Sequence, residues 1–118
     1  MTLEELVGTY NITGKNQDEE NSDYKGVLEL SLDFDNRIVA KWNIYENQTQ
    51  LGKGFFKDNI LVINFNYLSE DFKTYKGVVV YKCVTKDILE GFWSEKHGNP
   101  LYLGQETAYR TKPVTSLN

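Results

Sequence analysis

Apolar and polar residues alternate one for one through most of the chain, the pattern of strands with one wet face and one dry face. The alternation resolves into eight short runs, at 6–13, 23–32, 37–46, 48–57, 59–67, 73–84, 87–96 and 100–111. Turn-forming clusters separate them: Asp33-Phe34-Asp35-Asn36, Glu46-Asn47, Asp58-Asn59, Ser69-Glu70-Asp71, Lys86-Asp87 and His97-Gly98-Asn99-Pro100. These connections are short enough for hairpins, so consecutive strands are predicted to be antiparallel neighbours. One connection is longer: Gly14 to Ser22 is polar, with Asp18-Glu19-Glu20 at its centre, and reads as a solvated loop or a lid over one end of a barrel. Thr2 and Glu5 have the spacing of a capping box, which predicts a single helical turn over Leu3 to Leu6. Residues 112–118 carry Pro113 and no pattern, so they read as a flexible tail after a single domain over 1–111.

Alternate residues define the inward face. The first two strands contribute Leu6, Gly8, Tyr10 and Ile12, then Tyr24, Gly26, Leu28, Leu30 and Leu32. The next three contribute Ile38, Ala40, Trp42 and Ile44, then Gln50, Gly52, Gly54 and Phe56, then Leu61, Ile63, Phe65 and Tyr67. The sixth and seventh contribute Tyr75, Gly77, Val79, Tyr81 and Cys83, then Leu89, Gly91 and Trp93. The last strand has two possible registers: Gly104, Glu106, Ala108 and Arg110 inward, or Leu101, Leu103, Gln105 and Tyr109. Glycine falls repeatedly on this face, where it weakens a strand unless sharp coiling requires it. Closure of a narrow barrel is such a requirement, with small and large residues alternating in layers along each strand. The fold expected is all-β, an eight-stranded antiparallel up-and-down β-barrel with a short N-terminal helical turn. Tyr24-Lys25-Gly26-Val27 recurs as Tyr75-Lys76-Gly77-Val78, with Trp42 and Trp93 at the same offset, which suggests two similar halves or merely similar hairpins.

Composition narrows the class. The 118 residues are 14% aromatic and carry a net charge of −4, so the chain lacks the basic face that phosphate neutralisation needs, and no nucleic acid is expected. No apolar run approaches the ~20 residues of a membrane span, a single Cys83 excludes an internal disulfide framework, and the acidic start is unlike a signal peptide. The expected compartment is the cytoplasm.

Little in the chain points to catalysis or to a bound cofactor. One His and one Cys do not make a typical zinc site, no phosphate-binding loop opens a helix, and no nucleophile has a neighbouring base. His97 lies in a turn and Cys83 in an apolar strand. The remaining candidates are inward polar and aromatic groups: Tyr10, Tyr24, Gln50, Tyr75, Tyr81, Glu106 and Arg110, beside Trp42, Phe56 and Trp93. Mostly apolar walls with a few fixed polar groups are the make-up of a ligand pocket. Such a barrel can equally be filled by its own side chains.

Gly8-Thr9-Tyr10 resembles the Gly-x-Trp that opens calycin-type barrels, the group that includes lipocalins, fatty-acid-binding proteins and avidins. Arg110 resembles the late basic residue that packs across the base of those barrels onto that aromatic, although here the aromatic is Tyr. Trp42 and Trp93 resemble the tryptophans that box biotin in avidin-like sites, but the polar residues that read its ureido ring are not evident. The run from Leu89 to Arg110 is also similar to a set of small bacterial proteins of uncharacterised function. The make-up of the inward face, within a barrel of this resemblance, leads to the expectation of a non-catalytic protein that binds a small apolar or aromatic molecule inside the barrel. An oligomeric interaction module with a filled core, and an isomerase or cyclase using Glu106, are the alternatives. Outward Val78, Val80, Phe92, Leu103 and Tyr109 would make an apolar patch on the later strands, and a homo-oligomer is expected from it.

Overall fold

A computed structural model describes residues 1–111, and the expected tail at 112–118 lies outside the described residues. Eight strands follow one another around a closed barrel: β1 (Gly8–Lys15), β2 (Asp23–Leu32), β3 (Ile38–Ile44), β4 (Gln48–Lys57), β5 (Ile60–Leu68), β6 (Thr74–Thr85), β7 (Ile88–Glu95) and β8 (Gly104–Arg110). Each pairs antiparallel with its predecessor, and β8 closes on β1 from Tyr10 opposite Arg110 to Lys15 opposite Gln105. One helix turn precedes them, α1 (Leu3–Leu6), opened by the Thr2 and Glu5 capping box. Leu6 belongs to this turn rather than to β1, and it is fully buried. β3 ends at Ile44 because Tyr45 and Glu46 both take positive φ in the tight turn that follows. β8 begins at Gly104 rather than at residue 100 because residues 99–102 form a turn. There the Tyr102 N–H donates to the Asn99 carbonyl at 3.0 Å, and the Leu101 N–H donates to the Asn99 side chain at 2.9 Å.

Burial follows the inward parity and resolves the register of the last strand: Gly104, Glu106 and Ala108 are buried, while Gln105 and Tyr109 are exposed. The large partners of the glycines come from the neighbouring strand, not from two residues along the same strand. Tyr24 lies opposite Gly14, Phe65 opposite Gly77, Tyr81 opposite Gly91 and Trp93 opposite Gly104. In each pair the aromatic ring occupies the space that a Cβ on the glycine would take. Rings laid across bare backbone in this way cover the glycine and let the strands coil tightly.

The β2–β3 and β6–β7 hairpins share one register, with Gly26 opposite Ile44 and Leu28 opposite Trp42 in the first, and Gly77 opposite Glu95 and Val79 opposite Trp93 in the second. The β1–β2 and β5–β6 pairs differ in register, so the likeness between the two halves extends to these hairpins and not to the whole barrel.

On the outer surface the register lines up Phe55, Val62, Val80 and Phe92 across β4 to β7, with Phe55 and Phe92 exposed. The strip therefore runs toward β4, not toward β8 as the sequence suggests. It meets Gln105 on β8, while Leu103 sits in the preceding loop and Tyr109 pairs with Ile88 further along.

Candidate functional site

The two ends of the barrel differ. At the base, α1 folds across the opening and the Tyr10 hydroxyl donates to the Leu6 carbonyl at 2.7 Å. Arg110 locks this arrangement. Its guanidinium lies 4.8 Å from the centre of the Tyr10 ring and donates to the carbonyls of Glu5, Val7 and Lys86, to Asp87 and to the Tyr10 hydroxyl. One planar fork thus ties α1, β1, the β6–β7 turn and β8 together. Above it Leu28, Ile38, Leu61, Ile63 and Leu89 are fully buried, so this half of the barrel is filled.

Toward the opposite end, where the acidic loop after β1 lies, the interior opens into a cavity of about 180 Å³. Trp42, Phe65 and Trp93 form its aromatic walls, with ring centres 6.1 Å apart in edge-to-face contacts from Trp42 to Phe65 and from Phe65 to Trp93. Tyr24 meets Trp93 in the same manner at 6.3 Å. Glu106 is fixed in the lining by a hydrogen-bonded network. The Tyr24 hydroxyl donates to Oε1 at 2.8 Å, while Tyr81 and the Trp42 indole both donate to Oε2, the latter at 3.2 Å. A further link supports the first donor, since the Trp93 indole donates to the Tyr24 oxygen at 2.9 Å. Among the described residues no buried side-chain polar atom lacks a partner. At the rim, Tyr67 donates to Glu95, and the Gln50 amide donates to Gln48 at 2.9 Å.

Six of the sequence candidates line this cavity: Tyr24, Trp42, Gln50, Tyr81, Trp93 and Glu106. Four do not. Tyr10 and Arg110 close the base, Phe56 lies near the β4–β5 turn at that same end, and Tyr75 sits outside the cavity, stacked on Tyr67 at 5.4 Å. Their inward parity is real, but parity fixes the face of a strand and not the height along the barrel axis. Asn16, Ile44, Gln48, Tyr67, Val79 and Glu95 also line the cavity. Glu95 shares its parity with Trp93, and Gln48 with Gln50, so extending each alternation by one step finds both. With two carboxylates and several amides, the lining is more polar than the apolar pocket expected from sequence.

Burial pushes the Glu106 carboxyl above its usual range, while the Tyr81, Tyr24 and Trp42 donors pull it down. Burial and the adjacent Glu106 raise the Tyr24 and Tyr81 hydroxyls, and burial with the Glu95 contact raises Tyr67, so all three keep their protons. A carboxyl whose folded pKa is raised contributes stability that is fully present below its unfolded value, near ~4.3, and that is lost as pH rises through the folded value. Urea unfolding of the parent and of Glu106→Gln between about pH 4 and about pH 8 checks this. The parent should lose stability relative to the variant as pH rises, and a constant gap between them would show that Glu106 titrates as it does in the unfolded chain.

No family model and no curated protein sequence matches the chain. Solved structures do. A redesigned β-barrel, mFAP1, bound to DFHBI is 21% identical with a TM-score of 0.70, over 92% of this chain and 97% of that one. A related redesigned barrel, mFAP0, also bound to DFHBI, is 22% identical with a TM-score of 0.68, over 90% and 99%. A de novo designed fluorescence-activating β-barrel is 14% identical with a TM-score of 0.61, over 94% and 100%. At these identities the likeness is one of fold, and the chain is a closed eight-stranded antiparallel barrel.

Proposed function

We propose that this protein is a non-catalytic binder of a small molecule carrying an aromatic or apolar ring, held in the open half of the barrel. The observation that carries the reading is the division of the interior: one half is packed solid, while the other keeps a cavity walled by Trp42, Phe65 and Trp93 and fixed by the Glu106 network. Solved barrels of the same fold bound to DFHBI give it support. The Arg110 fork over Tyr10, below a helical turn, supports kinship with calycin-type barrels, although Tyr stands where those barrels carry Trp. Catalysis by Glu106 has less support, because both its oxygens already accept from fixed donors.

Trp42 and Trp93 are the two tryptophans of the chain and both line the cavity, so they report on it directly. In the free protein their emission should be blue-shifted, with Trp42 the more shielded from iodide. A ring-bearing ligand should change that emission in a saturable way. Free quenching of both indoles in the folded protein would remove the pocket reading.

A further inference from the structure

The hydrogen-bond inventory of the cavity is lopsided. On the aromatic walls every polar hydrogen is already directed at the protein: Trp93 to Tyr24, Tyr24 and Tyr81 to Glu106, Trp42 to Tyr81 and Glu106, and Tyr67 to Glu95. The Asn16 amide donates to the hydroxyl and carbonyl of Ser22 at 2.9 and 3.2 Å, and one Gln50 amide hydrogen is taken by Gln48. What the cavity mainly offers a guest is therefore acceptor oxygens and aromatic walls. Beyond these contacts the lining keeps only the amide hydrogens of Gln48 and the second one of Gln50. Two carboxylates, Glu95 at the rim and Glu106 deeper in, share this space, and among the described residues no Lys, Arg or His lines it.

We propose that the cavity selects a small organic cation, an ammonium group carried on a single ring or a body of similar size; this rests on the small-molecule reading above. The ammonium hydrogens meet the Glu95 carboxylate, whose second oxygen takes no side-chain donor in the network, and the charge lies among the aromatic walls of Trp42, Phe65 and Trp93. Indole and phenyl faces attract cations through the ring quadrupole, most strongly where water is excluded. An anion of the same shape would face the Glu95 carboxylate and the Glu106 oxygens without a counter-charge, and a neutral alcohol would gain one hydrogen bond and no charge attraction. The volume sets the size: a cavity of ~150 Å³ holds benzene, so about 180 Å³ admits one ring and a short arm.

The test titrates the folded protein with benzylamine, benzyl alcohol and benzoate, which share a ring and differ in charge. Tryptophan emission and the two indole N–H resonances are followed. Benzylamine should saturate at least about ten times more tightly than benzyl alcohol, and benzoate should not compete. Glu95→Gln, which keeps an acceptor oxygen and removes the charge, should bring benzylamine close to benzyl alcohol and so erase most of that tenfold preference. Equal or tighter binding of the alcohol or of benzoate overturns the cation inference and leaves the pocket standing. Indole signals unmoved by all three probes at millimolar concentration overturn both readings.

Discussion

Gly91→Val is expected to lower stability by about 3 kcal/mol and the melting temperature by roughly 10 °C. Gly91 lies opposite Tyr81, and a Cβ there would run into the Val80 carbonyl oxygen and lie 2.8 Å from the Tyr81 ring. The carbonyl belongs to the β6 backbone and cannot step aside. Nor can the ring, because its hydroxyl is tied to Glu106 and accepts from the Trp42 indole. Relief of the clash must therefore pull the strands apart or break the polar network beneath them, and either response is costlier than a side-chain rotation. Gly77→Val should behave similarly, since its Cβ would enter the Phe65 ring and come within 2.6 Å of the Ser94 carbonyl oxygen. The neighbouring outward change Glu90→Val serves as the control and should stay within ~0.5 kcal/mol of the parent. Thermal melts followed by circular dichroism decide the matter: a Gly91→Val protein melting with the parent would mean that the inward glycines are not filled by cross-strand rings.

Arg110→Ala should have an effect of similar size, about 3 kcal/mol, by removing several charge-assisted hydrogen bonds and the packing on Tyr10 at once. Its consequence is local as well as global. The carbonyls of Glu5 and Val7 lose their partner, and α1 is left with Leu6 burial and the Tyr10 hydroxyl to hold it over the base. Hydrogen exchange should quicken over residues 3–10 more than in β4 or β5. Arg110→Lys is the informative companion: lysine keeps the charge but cannot reach five acceptors from one planar head, so it should recover less than half the loss. Full recovery by lysine would show that charge alone, and not the fork, closes the base.

The strands were legible in the sequence because a single packed face imposes a period of two, and every hairpin turn interrupts it with polar or turn-forming residues. The inward glycines marked the barrel as closed, but what fills them was hidden: Trp93 over Gly104 and Tyr24 over Gly14 are cross-strand facts, and register is set by turn geometry and shear that alternation does not encode. The same blindness explains the site. Tyr10 and Arg110 share the inward face with Tyr24 and Glu106, yet they stand at the other end of the barrel, since alternation gives direction and not depth. Leu6 continues the parity of β1 by coincidence, its burial coming from a helical turn laid across the base.

The seam between β1 and β8 has a kinetic consequence. Tyr10 and Arg110 face each other across it from opposite ends of the sequence, so this ladder joins residues that loop closure brings together slowly. During synthesis the first seven strands emerge before the eighth, and neither β1 nor β7 has its second neighbour until residues 104–110 have been made. Any sheet formed before then cannot close, and its apolar face stays open to water. The interval before β8 arrives is when this chain most needs protection from pairing with another copy of itself.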